Sequence, residues 1–431
     1  MPKRILLDHG ANYNIGDIAQ LENVALRLLH NYPDTELYIT DRPNLKTSLW
    51  DSAAIHRQKY FRVNIPGAHA FSNLPFAWRY DESWRRMVSN VALLYSERAN
   101  MQRLFPVTYC DNDSKNSLDL KEYCKGFDGL VISGGGFFND TLHYTLIEKC
   151  SLINAFISKG IPVMLTGQQI GPFKSTLTKK LLKKTLKKVS FIGLRDPGYS
   201  LTFCEDAGIN RNTFGLMGDD SLGAPCAPET TIETLLKNNQ LEAGNFLAVN
   251  VRLSNYNREV YAHIKNIASL FEKLAERLQM PLVFIPIAFN TQDSGIAAAK
   301  VLVKHMPGNT VKILQCPNQT PAITKGILKK AYAAVGVSYH FCVFALSQGT
   351  PAVCMHDGAY YGQKAKNISL FWQDHRLSLD LSKTSVDGAG EQIMKVSNDA
   401  ALREKIKGIS EKALLEWQNI FDNRLKELMR Q

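Results

Sequence analysis

Arg4-Ile5-Leu6-Leu7-Asp8-His9-Gly10-Ala11-Asn12-Tyr13-Asn14-Ile15-Gly16-Asp17 stands near the start of the chain. Its first five residues form a short apolar run, read as a buried strand. A polar, glycine-containing loop follows, and then a helical pattern over Asp17–Leu29. Strand, loop and helix in that order open a βαβ unit. The rhythm repeats: Glu36–Thr40, Gly129–Ser133, Ile161–Thr166, Phe191–Leu194 and Thr213–Met217 predict strands, with helices over Thr141–Ser158, Leu177–Val189 and Pro197–Ala207. After a proline-bearing break near Gly223–Thr231 it restarts. Strands are predicted at Phe246–Val251, Pro281–Pro286, Val311–Leu314, Ala333–Val337 and Ala352–Met355. Helices are predicted over Val260–Leu278, Ser294–Lys304, Pro321–Lys330 and His340–Ser347. These strands are too many for one comfortable sheet. The expectation is an α/β protein of two Rossmann-like domains facing a cleft. The N-terminal domain would span 1–225, a linker 226–244, the C-terminal domain 245–398 and a charged amphipathic helix 399–431. The stretch Arg42–Lys121, rich in aromatics and arginine, reads as an insertion over the cleft.

The 431 residues are 45% apolar, enough to bury substantial cores. No run approaches the roughly 20 apolar residues that cross a bilayer. Asp8 and His9 interrupt the first hydrophobic stretch, which argues against a secretory leader. The eight cysteines lack CxxC or metal-like spacing, and Cys342 and Cys354 sit in apolar runs. Reduced thiols in a cytoplasmic protein without a structural metal are expected. The net charge is +11, so a basic surface can attract nucleic acid, anionic lipid or phosphorylated metabolites. Zinc-finger spacing, an RNP aromatic pattern and a long basic tail are all missing from the sequence. An anionic small molecule or a membrane surface is therefore the expected partner, and nucleic acid is not.

In open α/β sheets, ligands bind beyond the carboxyl ends of the strands. The polar segments that follow predicted strands are the candidates. Asn14, Gly16 and Asp17 open the first helix, where N–H groups can hold an anion or a sugar group; Asn14 and Asp17 would equally well cap it. Ser133-Gly134-Gly135-Gly136 places three glycines where backbone must closely approach a ligand or another segment. It lacks the Lys-Ser/Thr of a P-loop. His143 lies just beyond. Gln168, in Thr166-Gly167-Gln168-Gln169, suits hydrogen bonds to hydroxyls. A lysine-rich helix over 174–188 alternates with leucines, and its basic face is either solvated or a contact for anionic lipid. Arg195 can pair with a substrate carboxylate or with Asp219 or Asp220. Arg252 ends a strand where apolar packing does not explain a charge, and can clamp a carboxylate or phosphate. His340 closes Ser338-Tyr339-His340 at the mouth of a strand, and histidine exchanges protons near neutral pH.

In order along roughly residues 4 to 355, several segments resemble the polysaccharide pyruvyl transferase family. They are Asn14-Ile15-Gly16-Asp17, Ser133-Gly134-Gly135-Gly136, Gly167-Gln168-Gln169-Ile170-Gly171-Pro172, Arg195-Asp196, Asp219-Asp220-Ser221, Val251-Arg252, and His340 with Ala345, Gly349 and Pro351. The resemblance implies a GT-B-like fold and transfer of the pyruvyl group of phosphoenolpyruvate to a saccharide, forming a ketal. On that reading His340 and Arg252 are catalytic, and Arg252, Ser338, Tyr339 and His340 bind the donor. Asn14, Asp17, Gly135, Gly136, Gln168 and His143 bind the acceptor, which the basic helix 174–188 would approach in lipid-linked form at the inner membrane face. This chemistry calls for no metal or cofactor. One departure stands out: the family commonly carries an arginine two residues before the histidine, and here that position is Ser338. Two other functions therefore stay open, a GT-B nucleotide-sugar glycosyltransferase and a catalytically silent glycan-binding protein.

Overall fold

The structure is a computed structural model that describes residues 2–10, 13–42, 45–64, 91, 108–111, 117–253, 258–289, 294–306, 308 and 311–430. Most of the stretch expected to form an insertion (65–90, 92–107 and 112–116) lies outside the described residues. Its flanks give β3 (Ile55–Lys59) and a small antiparallel sheet.

In the first half, β1 (Arg4–Asp8) leads into α1 (Ile15–Asn31), then β2 (Glu36–Asp41) and β3. The small sheet is β4 (Phe61–Asn64), β5 (Thr108–Asp111) and β6 (Ser117–Leu118). Then come β7 (Gly129–Ile132), β8 (Gly135–Phe138), α2 (His143–Ser158), β9 (Val163–Ile170), α3 (Thr176–Leu186), β10 (Phe191–Leu194) and β11 (Phe214–Leu216). The large sheet runs β11-β10-β9-β7-β1-β2-β3, with β8 paired to β9, and its pairings are parallel. Successive residues of a strand face opposite sides. Leu6, Leu130, Ile132 and Leu165 accordingly enter one core, while Ile5, Leu7, Val131 and Met164 enter the other. Helices cover both faces, so the strands read as unbroken apolar runs rather than alternating ones.

The second half builds β12 (Leu247–Asn250), β13 (Leu282–Phe284), β14 (Val311–Ile313), α4 (Pro321–Lys329), β15 (Ala333–Gly336), α5 (Tyr339–Ser347), β16 (Ala352–His356), α6 (Gly358–Phe371) and β17 (Ser378–Asp380). Its parallel sheet runs β14-β13-β12-β15-β16-β17. Counted along the path from each domain's first strand, both sheets have the order 3-2-1-4-5-6, with two further strands in the first, β11 at its edge and β8 beside β9; this is the doubly wound dinucleotide-fold order. The region expected to be a linker contains a helix, Glu229–Asn238.

Two elements join the domains. Ile15 and Ala19 of α1 pack into the core of the C-terminal domain, while Ile18, Leu21 and Val24 pack under the N-terminal sheet. The last helix, α7 (Ala400–Arg430), is 31 residues and about 46 Å long. It buries Leu402 and Ile406 in the C-terminal core, and Trp417, Phe421, Leu425 and Leu428 in the N-terminal one. Among the described residues no helix is long and apolar enough to cross a membrane. The lysine-rich segment folds as expected of an amphipath: Leu181, Leu182 and Leu186 of α3 are buried, and Lys179, Lys180 and Lys184 are exposed.

Candidate active site

In each sheet the strand order reverses between the first and fourth strands, which opens a crevice at their carboxyl ends. The two crevices face each other. The loop after β1 is pinned from across the cleft. Asn14 caps α1, its Oδ1 accepting from the Gly16 N–H at 2.9 Å, and its backbone bridges to Ala288. Ile15 N–H donates to Ile287 O at 2.9 Å, and Phe289 N–H donates to Tyr13 O at 3.2 Å. At Gly16 a Cβ would lie 2.0 Å from His340 Cγ, so only a hydrogen fits.

His340 is the second residue of α5 and is buried. Its Nδ1 lies 3.9 Å from Asp17 Oδ1 and its Nε2 lies 3.6 Å from Asp219 Oδ2. Four donors fix Asp219. Its Oδ1 accepts from the Ser221 N–H at 2.9 Å and hydroxyl at 2.6 Å; its Oδ2 accepts from Gln20 at 3.0 Å and Arg195 at 3.2 Å. Burial alone would raise this carboxyl, but His340, Arg195 and Ser221 hold it well below the usual range. Asp220 moves the opposite way. Burial, with a contribution from the Asp219 charge, pushes it up to about 7, although Thr166, Trp417 and Gly134 all donate to it. The neighbours differ because charged partners face only Asp219.

Arg195 is buried at the end of β10, and its Cζ sits 4.2 Å from the centre of the Tyr339 ring, a cation–π contact across the cleft. It also donates to Gln169 Oε1. Between the domains lies a cavity of about 220 Å³. Asn14, Asp17, Arg42, Gly136 and Arg195 line its N-terminal side; Arg252, Ser338, Tyr339, His340, Tyr360 and Lys364 line the other. Beneath it, Lys149 pairs with Asp8 and donates to His9 O at 2.6 Å. Burial would raise Asp8, but Lys149 and Arg42 bring it down to about 2.

The model of the family described as polysaccharide pyruvyl transferase matches residues 14–355, most of the chain. The chain belongs to the polysaccharide pyruvyl transferase family. It is therefore a transferase, and the reading as a silent glycan-binding protein falls away. Comparison with curated proteins gives no sequence match. Solved structures match in fold. A UGT transferase from Siraitia grosvenorii in complex with UDP has a TM-score of 0.53 and 11% identity, with 99% of each chain covered. The UDP-GlcNAc 2-epimerase from Neisseria meningitidis bound to UDP-GlcNAc has a TM-score of 0.55 and 11% identity, covering 99% of this chain and 100% of the other. This pyruvyl transferase-family protein thus has the GT-B architecture expected from its sequence.

Eight of the residues singled out from the sequence line this cavity: Asn14, Asp17, Gly136, Arg195, Arg252, Ser338, Tyr339 and His340. Gly135, Gln168 and His143 do not, and each needs correcting. Gln168 is fully buried; its Nε2 faces Ile132 O, Ser133 O and Thr166 O at 3.2, 2.9 and 2.8 Å and stitches strand ends together. Gly135 opens β8, where the Phe137 ring folds back so closely that a Cβ would meet it at 2.3 Å. His143 is buried in the first turn of α2, and Leu142 and Thr145 face the cavity instead. The triple glycine serves mainly chain-to-chain contact. A Cβ at Gly134 would lie 2.8 Å from Gly167 O, while Gly134 N–H donates to Asp220 at 2.6 Å.

Sequence reasoning missed Arg42, Tyr360, Tyr361 and Lys364. The last three share one face of α6, at spacings of three and four. A signal was available: Asp357-Gly358 just after a predicted strand is a helix start, and Asp357 does cap α6. Among the described residues no cluster of three or more histidines, cysteines or carboxylates has metal-binding geometry.

Proposed function

We propose that this transferase moves the pyruvyl group of phosphoenolpyruvate onto two hydroxyls of a saccharide and closes a ketal. One observation carries the reading: a histidine, four cations and a helix-start loop converge on a single cavity between the domains. Phosphoenolpyruvate carries a phosphate and a carboxylate, and Arg252 would hold one of them. His340 would give a proton to the methylene carbon, leaving an oxocarbenium-like centre at the neighbouring carbon. A sugar hydroxyl adds there and returns its proton to His340. Phosphate then departs with the electron pair of its C–O bond. The second hydroxyl closes the ring and loses its proton to the departing phosphate. Asp219, held by four donors, fixes the imidazole through charge on its Nε2 side.

The acceptor would lie against Asn14, Asp17 and Gly136. A second reading, a nucleotide-sugar glycosyltransferase, draws support from the uncharged Ser338 and from the UDP complexes of similarly folded proteins. Incubation with saccharides and either donor separates the two. Inorganic phosphate released from phosphoenolpyruvate supports pyruvyl transfer, whereas nucleoside diphosphate released from a nucleotide sugar, with no phosphate, supports the other. The exposed lysines of α3 would contact anionic lipid. Unchanged binding of the Lys179→Glu/Lys180→Glu protein to anionic vesicles would dispose of that idea.

A further inference from the structure

More cations than carboxylates line the cavity, while Arg195 pairs with Asp219 and Arg42 with Glu148 behind its wall. Among the described residues lining it, Arg42, Arg195, Arg252 and Lys364 face one acid, Asp17. Two of these cations meet over a single point. A methyl group placed on Gly136 would lie 3.2 Å from Arg195 Nη2, 3.5 Å from Gln169 Oε1, which Arg195 already engages, and 3.7 Å from Lys364 Cε. Arg195 reaches that point from the N-terminal domain, and Lys364 from α6 of the C-terminal domain. Arg252, two residues past the end of β12, lines the same side of the cavity as Lys364 and is close enough to perturb it. Like charges gathered in a partly desolvated pocket repel one another, and an oxyanion between them removes that cost.

We infer that Lys364, with Arg195 and Arg252, forms a seat above Gly136 for a phosphoryl-type oxyanion, and that this seat holds the phosphate of the donor.

The three cations divide the work. The Arg195 fork is occupied by Asp219 and Gln169, so it supplies field and a fixed wall. Lys364 has a compact ammonium on a flexible stem, the form of cation that follows a tetrahedral anion. Its Nζ donates to Tyr360 Oη at 2.8 Å and lies 4.2 Å from the centre of the Tyr360 ring, which holds it at the cavity wall. Burial, with help from Arg195 and Arg252, brings its ammonium down to about 7; a bound oxyanion would restore full charge. Ser338 lines the same cavity, buried and uncharged. The cation that the family commonly carries at that position would thus come from α6. Because the seat draws on both domains, its anion would also tie them together.

The assignment of the anion to the donor rests on the pyruvyl-transfer reading; the seat itself does not. Sulfate and phosphoenolpyruvate binding to the full-length protein, measured by calorimetry, test the two separately. Lys364→Met should weaken both about 10- to 100-fold, the usual effect of losing one charge-assisted hydrogen bond. Lys364→Arg should stay within a few-fold of wild type. Adding Ser338→Arg to Lys364→Met should recover affinity, because the new charge enters the same cavity. That recovery also distinguishes lost binding from lost fold. Sulfate binding that depends on Lys364, without phosphoenolpyruvate binding, would uphold the seat and remove the donor. Sulfate or phosphoenolpyruvate binding that is equal in wild type and Lys364→Met, or absent from the wild type, would overturn the seat.

Discussion

Gly16→Ala adds one methyl group at the narrowest point of the cleft, and its effect can be worked out beforehand. Gly16 has no left-handed backbone angle and sits in the first turn of α1. By propensity alone, alanine would stabilise the helix by about 0.5–1 kcal/mol. The added Cβ, however, would lie 2.0 Å from His340 Cγ and 2.1 Å from Nδ1, where carbon contacts need about 3.5–4 Å. The ring must shift by about 1.5 Å or more, which displaces Nε2 from its present position 3.6 Å from Asp219. If His340 is the proton donor, the variant forfeits most of the general-acid contribution, about 10²–10⁴-fold in kcat. His340→Ala should show a similar loss, and the double variant should lose little more, because both substitutions disable one device. Steady-state phosphate release measures kcat, and thermal unfolding establishes that the variant folds. A folded Gly16→Ala protein with kcat within threefold of wild type would refute the reasoning.

Other consequences follow from the same geometry. Arg252→Gln should raise the KM for the donor about 10- to 100-fold, with a smaller change in kcat, if it holds a donor anion; initial-rate kinetics check this. Asp219 is held below its ordinary value in the folded protein. Its stabilising contribution is therefore fully present above about pH 4 and lost as the pH falls further. Asp219→Asn should flatten that acid limb in denaturant titrations from pH 6 to pH 3, and a limb of unchanged slope would disprove the assignment. Lys325 is wholly buried and donates to Ser221 O, Leu222 O and Ala224 O at 3.1, 3.0 and 2.7 Å, so α4 of one domain clasps the turn after Asp219 of the other. Lys325→Met should cost about 2–4 kcal/mol of stability; an unchanged urea midpoint would show the clasp to be idle.

The sheets were legible because parallel strands are buried on both faces and leave short unbroken apolar runs. Arg4–Asp8 and Phe191–Leu194 emerge with the bounds predicted from sequence. β8 was hidden because Gly135–Phe138 opens with two glycines, and glycine reads as a turn; here the missing side chains make room for the Phe137 ring. The C-terminal cavity wall was half legible. Arg252 and His340 stand out as polar residues ending apolar strands. α6 did not, because of its described residues only Tyr361, Ala365, Asn367 and Ile368 are buried, too few to give an apolar period. Gln168 misled for a physical reason: an amide at a strand end looks poised for a ligand, and sequence cannot reveal that three carbonyls already occupy it. Asp219 was one of three partners open to Arg195 from sequence, with Asp220 and a substrate carboxylate; the pairing needed the packing of β10 against the turn that follows β11.

The central claim is that loops from both domains form one site for a phosphorylated donor. A crystal structure of the protein with phosphoenolpyruvate tests it most directly. The phosphate is expected above Gly136 between Lys364 and Arg252, with the methylene carbon facing the His340 imidazole on the side away from Asp219. Phosphoenolpyruvate bound outside this cavity, or inside it with His340 turned away from the methylene carbon, would contradict it.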